Sequence, residues 1–161
     1  MSVLPNTLNR LVGLRVTDVS DDKATMVELT LIKSGFWGSV LRRQHFVWLH
    51  SCRWQIYQHG QLVLSDEIGL PLESTPWDDV SSKLHDICSK AKKLLIGRSL
   101  SRLSFQNATD STWEFDLGVE LKTIPNSTAR GFNGEPGPQI CITFPGRKHV
   151  DFQQDGSFSR Y

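Results

Sequence analysis

Between Pro76 and Gly97 the apolar positions recur at helical spacing. Val80, Leu84, Ile87, Ala91 and Leu94 form one stripe, and the period predicts an amphipathic α-helix. The ends agree with the middle. Thr75 can cap, Pro76 suits the first helical position, and Asp78 completes a weak capping box. Asp79 faces Lys83 and Asp86 faces Lys90 one turn on, while Lys90, Lys92 and Lys93 gather near the end as the helix dipole favours. Gly97 is placed to close the helix in a left-handed conformation.

On both sides of this helix the pattern changes to β-type alternation. Leu4, Leu8 and Leu11 suit a short helix after Pro5, then Leu11-Val12-Gly13 leads to Val16 and Val19. The long helix ends the same way, with Leu95-Ile96-Gly97 followed by Leu100 and Leu103. Apolar residues three and six positions after each glycine break the period of two and predict a twist or bulge in each strand. Val27, Leu29 and Leu31 alternate, as do Trp113, Phe115 and Leu117, with these sides expected inward. Two hairpins follow: Trp54 and Ile56 run into Gln58-His59-Gly60, and Val150 and Phe152 into Gln154-Asp155-Gly156. Read as a single strand, Phe46 to Ile56 places Phe46, Trp48, His50, Cys52, Trp54 and Ile56 on one core-facing side. The predicted fold is α+β, with largely antiparallel sheet packed on one long helix in a single compact domain, 1–161. A pseudo-repeat of helix, glycine, strands and hairpin divides it at about 1–70 and 75–161. Connections this short favour hairpins over parallel crossovers.

Composition narrows the function classes. A formal charge of +1 argues against both a basic nucleic-acid binder and an acidic mimic of nucleic acid. Cys52, Cys88 and Cys141 are odd in number and widely spaced, which fits reduced thiols better than a disulfide framework. No stretch approaches a membrane span and no basic-then-apolar leader opens the sequence, so a cytoplasmic protein without membrane contact is expected.

Candidate chemistry is sparse. His50 and Cys52 would share a strand face, where an imidazole could activate a thiolate, but their neighbours describe a core. His45, His50 and Cys52 lack a zinc spacing, and Asp18, Asp21 and Asp22 form an acidic turn without the ligand alternation of a calcium loop. Glu114 and Asp116 alternate with Trp113 and Phe115 and are expected to face solvent. No glycine-rich phosphate loop occurs, and no cofactor, metal site or catalytic set is expected. Two loop segments stand out instead. Lys33 to Gln44 carries Gly35-Phe36-Trp37-Gly38 and Arg42-Arg43, and Pro125 to Pro138 carries Arg130 and Phe132. Aromatic anchors beside guanidinium groups have the composition of protein-binding hot spots. Trp37 reads two ways, as an exposed anchor or as a plug folded over a sheet edge.

Three pieces carry a resemblance: Leu95-Ile96-Gly97 with Leu100; Trp113-Glu114-Phe115-Asp116-Leu117-Gly118-Val119-Glu120-Leu121; and Arg53-Trp54-Gln55-Ile56 with Gly60-Gln61-Leu62-Val63-Leu64-Ser65-Asp66. They resemble small bacterial α+β proteins of unassigned function, some of them immunity-like partners of secreted or contact-delivered toxins. The resemblance implies a non-catalytic interaction module that binds a toxin domain, and no functional residue is carried over from it. On composition, the partner-binding residues would be Phe36, Trp37, Arg42, Arg43, Arg130 and Phe132. Two other readings stay open. One is a small-molecule-binding protein or enzyme with a cleft near His50, Cys52 and Trp54, and the other is a self-associating structural subunit.

Overall fold

A computed structural model describes residues 8–20, 27–33, 44–49, 52–66, 77–106, 110–125, 138–146, 148–153, 155 and 157–160. Within these residues the fold is α+β. Eleven strands form two antiparallel sheets, accompanied by one α-helix. In chain order, a 3-10 turn at Leu8–Leu11 precedes β1 (Leu14–Ser20), β2 (Val27–Lys33), β3 (His45–Leu49), β4 (Arg53–Gln58) and β5 (Gln61–Ser65). After α1 (Trp77–Leu95) come β6 (Leu100–Phe105), β7 (Ser111–Phe115), a 3-10 turn at Asp116–Gly118 and β8 (Val119–Ile124). The chain ends with β9 (Pro138–Phe144), β10 (Lys148–Gln153) and β11 (Phe158–Arg160).

The order of strands is not the order of the chain. The first sheet, sheet A, runs β1-β2-β3-β9-β10-β11, and the second, sheet B, runs β5-β4-β8-β7-β6. Each sheet therefore starts with three consecutive strands and is completed by strands from the other end of the molecule. Val47 opposite Ile142 joins β3 to β9, and Ile56 opposite Leu121 joins β4 to β8. The two inner faces and the helix share one core. Leu29, Val47, Ile142 and Phe152 enter it from sheet A, and Ile56, Trp113 and Leu121 from sheet B. Phe105 of β6 and Phe152 of β10 stack at 5.5 Å between ring centroids and tie one sheet to the other. A short polar network is buried with them. The Trp113 indole donates to Ser111 Oγ at 2.7 Å, and the Ser111 and Thr123 hydroxyls share a hydrogen bond. Burial without that partnering would be costly.

The glycines end the helical segments as expected. Gly97 adopts φ +81°, a conformation that L side chains rarely take, and Arg98 N donates back to Leu95 O at 3.0 Å. The chain beyond it immediately meets the start of β1. Gly97 N donates to Val16 O at 2.9 Å, Val16 N to Arg98 O at 2.8 Å, and Gly13 N to Leu100 O at 2.7 Å. The expected irregularities are present too, as register shifts between Val16 and Asp18 and between Leu100 and Arg102.

Several expectations need correction. Phe46 to Ile56 is two strands in two different sheets, and the inward side changes between them: Val47 and Leu49 are buried in β3, then Trp54 and Ile56 in β4. Leu117 does not continue the buried side of β7, because φ of +57° turns the chain there and leaves the side chain 70% exposed. Asp18 belongs to β1 rather than to an acidic turn. Among the described side chains of α1, Cys88, Ala91 and Leu95 are buried and Ile87 and Leu94 flank them half-buried, while Val80 and Leu84 of the expected stripe lie outside the described side chains. The main neighbours of α1, which spans 19 residues, are β1 and β5, a rim strand of each sheet. Lys92 Nζ meets Asp18 Oδ1 of β1 at 2.8 Å, and that hydrogen bond holds the Asp18 carboxyl below its ordinary value. Solvent screens the pair, as it does the Asp86–Lys90 pair at 2.9 Å, so both stabilise little.

Because Leu95 is 1% exposed and Ile87 lies at the margin of the core, the two should respond unequally to truncation. Leu95→Ala is expected to lower the unfolding free energy by about 2–5 kcal/mol, the range for a fully buried leucine. Ile87→Ala should lower it by less. Urea denaturation of both variants measures this, and an Ile87 effect as large as that of Leu95 would contradict the placement.

Candidate functional site

The best-defined open surface is the outer face of sheet B. Its three central strands, β4, β8 and β7, bury every second residue, so the intervening residues line one outward side. Register puts Leu62, Tyr57, Glu120, Glu114 and Arg102 in one row across β5, β4, β8, β7 and β6. Gln55, Lys122 and Thr112 form the next row.

These side chains are organised by one another. Tyr57 donates its hydroxyl proton to Gln55 Oε1 at 2.9 Å, and Lys122 Nζ sits 4.4 Å from the centroid of the Tyr57 ring. An ammonium over an aromatic face is held by the ring quadrupole. The same ammonium lies 3.6 Å from Glu120 Oε2, and Arg102 approaches Glu114 Oε1 at 3.8 Å. Glu120 and Glu114 are direct neighbours across β7 and β8, an arrangement that repels unless compensated. Each carboxylate has its own cation, and the face carries alternating charge around an aromatic centre.

One end of this face is stiffened by an unusual turn. His59 and Gly60 take φ +50° and +79°, a type I′ hairpin turn, as the His-Gly pair predicts. His59 N donates to Gly118 O at 2.8 Å, fastening the hairpin tip to the Asp116–Gly118 turn. Gly118 has φ +74°, and a Cβ there would meet His59 Nδ1 at 2.5 Å, so only glycine fits without a shift. Asp116 secures the other side, accepting from Ser99 N at 3.2 Å through Oδ1. Leu117 is thereby presented to solvent by backbone that cannot easily relax.

Of the residues singled out in the sequence, Phe36, Trp37, Arg42, Arg43, Arg130, Phe132 and His50 lie outside the described residues. The strand ends that flank their loops are described. Leu31 pairs with His45 at one end of the β2–β3 ladder, where the His45 ring meets the edge of Phe144 at 5.7 Å between centroids, and Pro138 begins β9 at that strand's other end. Cys52 and Trp54 belong to the core, 6% and 5% exposed. Burial, with the Asp66 carboxylate adding to it, pushes the Cys52 thiol far up, so it stays neutral and weakly nucleophilic. Cys141 is raised as well, by burial first and then by Asp151. No group of three or more His, Cys, Asp or Glu that could hold a metal ion occurs among the described residues. No described helix is long and apolar enough to cross a membrane.

Sequence reasoning placed Glu114 at the surface but missed Tyr57, Glu120, Lys122 and Arg102 as a set. Each occupies an alternate strand position, and only the cross-strand register brings them together. No protein-family model, curated protein or solved structure matches this chain.

Gly118→Ala should destabilise the protein by more than about 1 kcal/mol, since alanine at positive φ is strained. Removing the clash with the His59 imidazole should recover part of that loss. Thermal melting of Gly118→Ala and of Gly118→Ala with His59→Ala checks this, and a double variant no better than the single would deny the contact its role.

Proposed function

We propose that this protein is a non-catalytic interaction module of immunity type, which binds and neutralises a partner toxin in the bacterial cytoplasm. The observation that carries the reading is the outer face of sheet B, where Tyr57, Lys122, Glu120, Glu114 and Arg102 are ordered by mutual contacts. Such a face loses little side-chain freedom on binding and offers both charge signs and a rigid aromatic. The chemistry supports recognition over covalent catalysis, because Cys52 is held neutral in the core. Phe36, Trp37, Arg42, Arg43, Arg130 and Phe132 are further partner-binding residues in this proposal, on the strength of their side-chain chemistry.

The fold itself is part of the proposal. We infer that the halves at about 1–70 and 75–161 are a pseudo-repeat whose copies have exchanged hairpins. Support comes from the matching strand orders, in which β1-β2-β3 continues to β9-β10 and β6-β7-β8 continues to β4-β5. In this alignment β9–β10 is the counterpart of β4–β5, which replaces the sequence-based match of Gln154-Asp155-Gly156 to Gln58-His59-Gly60 and leaves β11 as an added rim strand. The two halves produced as separate chains in one cell should then co-purify as a complex, while each alone should be insoluble or unfolded. Independent folding of either half would count against the exchange.

Toxin neutralisation is tested by co-expressing this protein with the toxin domain of any neighbouring gene that encodes one. The wild-type protein should protect the host from growth arrest. Tyr57→Ala combined with Glu120→Arg should abolish protection and weaken binding at least tenfold, with an unchanged melting temperature. Trp37→Ala should weaken the complex by about 2 kcal/mol or more if the loop contributes an anchor. Absence of both binding and protection would overturn the reading, and a fall in melting temperature alone would make Trp37 a structural plug.

A further inference from the structure

The outer face of sheet B is complementary to itself. Ile56, Leu121, Trp113 and Leu103 form one inward row across β4, β8, β7 and β6. An outward row lies on each side of it. A line along the inward row relates Glu120 to Lys122 on β8 and Tyr57 to Gln55 on β4. It relates Glu114 to Thr112 on β7 and Arg102 to Ser104 on β6. Every related pair attracts: carboxylate with ammonium, phenol with amide, and carboxylate or guanidinium with hydroxyl. No like charges are related. The relation extends to both ends of β8, where exposed Ile124 is matched by Gly118, next to exposed Leu117.

These charged groups are open to a further contact. The Lys122 and Glu120 side chains are 40% and 35% exposed, and their 3.6 Å separation is too long for a hydrogen bond. The same holds for Arg102 and Glu114 at 3.8 Å.

We propose that this face binds a second copy of the chain, the two sheets packing face to face about a two-fold axis along the inward row. Such a rotation sets each outward residue opposite its related residue in the other copy. Glu120 meets Lys122 of the second copy, Lys122 meets Glu120, and Tyr57 meets Gln55. Ile124 comes over the Asp116–Gly118 turn of the other copy, which carries Leu117. The contact is isologous and closes after two subunits. Charge selects the occupant. A foreign surface would have to supply the complementary pattern, whereas a second copy already carries it, and a net charge of +1 adds little repulsion. An interface this polar makes a weak, reversible dimer that salt loosens further. It covers the face assigned above to toxin recognition, so a toxin and a second copy would exclude each other. The self-association itself does not depend on that reading.

Sedimentation velocity of the full-length protein, from micromolar to millimolar concentration at low and high salt, tests the pairing. It needs no toxin, so its outcome is separate from that of the toxin assay. Wild type should reach the mass of a dimer, and at lower concentration in low salt. Lys122→Glu sets carboxylate against carboxylate across the axis, and Glu120→Lys sets ammonium against ammonium. Each variant alone should stay monomeric with unchanged circular dichroism. Mixed in equal amounts, the two should form a dimer at least as tight as wild type, because every contact across the axis again joins opposite charges. Misfolded variants could not recover in this way. In the wild type, carbodiimide should join Lys122 of an isotopically light chain to Glu120 of a heavy one. A wild type that stays monomeric throughout would overturn the proposal. So would a dimer that either charge reversal leaves intact, or a mixture of the two variants that remains monomeric.

Discussion

Everything in this structure depends on where the two sheets are stitched together. The segments 13–16 and 97–100 exchange backbone hydrogen bonds at the point where both helical segments have just ended. Those amides and carbonyls would otherwise sit unpaired at the rim of the core, which proteins rarely tolerate. The stitch fixes the first strand of each sheet against the other. The inner faces that follow, from Val16 to Leu31 and from Leu100 to Trp113, then have one shared interior to fill. Helix α1 serves the same junction. Ala91 and Leu95 enter the core, and Lys92 reaches Asp18 on β1.

The division between core and surface explains where chemistry can reside. Two of the three thiols, Cys52 and Cys88, are buried and serve as small apolar groups. On the outer face of sheet B, Glu114 is matched by Arg102 of the neighbouring strand and Glu120 by Lys122 two residues along its own strand. A surface arranged in this way favours a partner whose charges alternate in the complementary sense and disfavours a uniformly basic one. The pattern lies in the arrangement of the charges, since the net charge of the whole chain is close to zero.

Local features were legible in the sequence where a single residue dictates backbone geometry. Gly97 as a helix end, His59-Gly60 as a tight turn and the bulges after Gly13 and Gly97 all follow from conformational preference. What resisted reading was the change of sheet between β3 and β4. The alternation of Phe46, Trp48, Trp54 and Ile56 runs on as though nothing happened, while the chain leaves one sheet for the other and its inward side reverses. Leu117 failed for a related reason. Its apolar character fits the pattern of Trp113 and Phe115, but positive φ outweighs that pattern. The candidate face was hidden more deeply still. Tyr57 and Lys122 come together only through the pairing of β4 with β8, which no local motif announces.

The pairing of β3 with β9 and of β4 with β8 also has a consequence for synthesis. As the polypeptide leaves the ribosome, β1, β2 and β3 can pair early, since they are neighbours in sequence and in space. The free side of β3 must then wait until the chain has been made through β9, and β4 must wait for β8. For that interval Val47, Leu49, Trp54 and Ile56 have no finished interior to enter. The nascent chain is thus most exposed to misassociation late in translation, and its completion is a single closing event rather than the successive folding of two units.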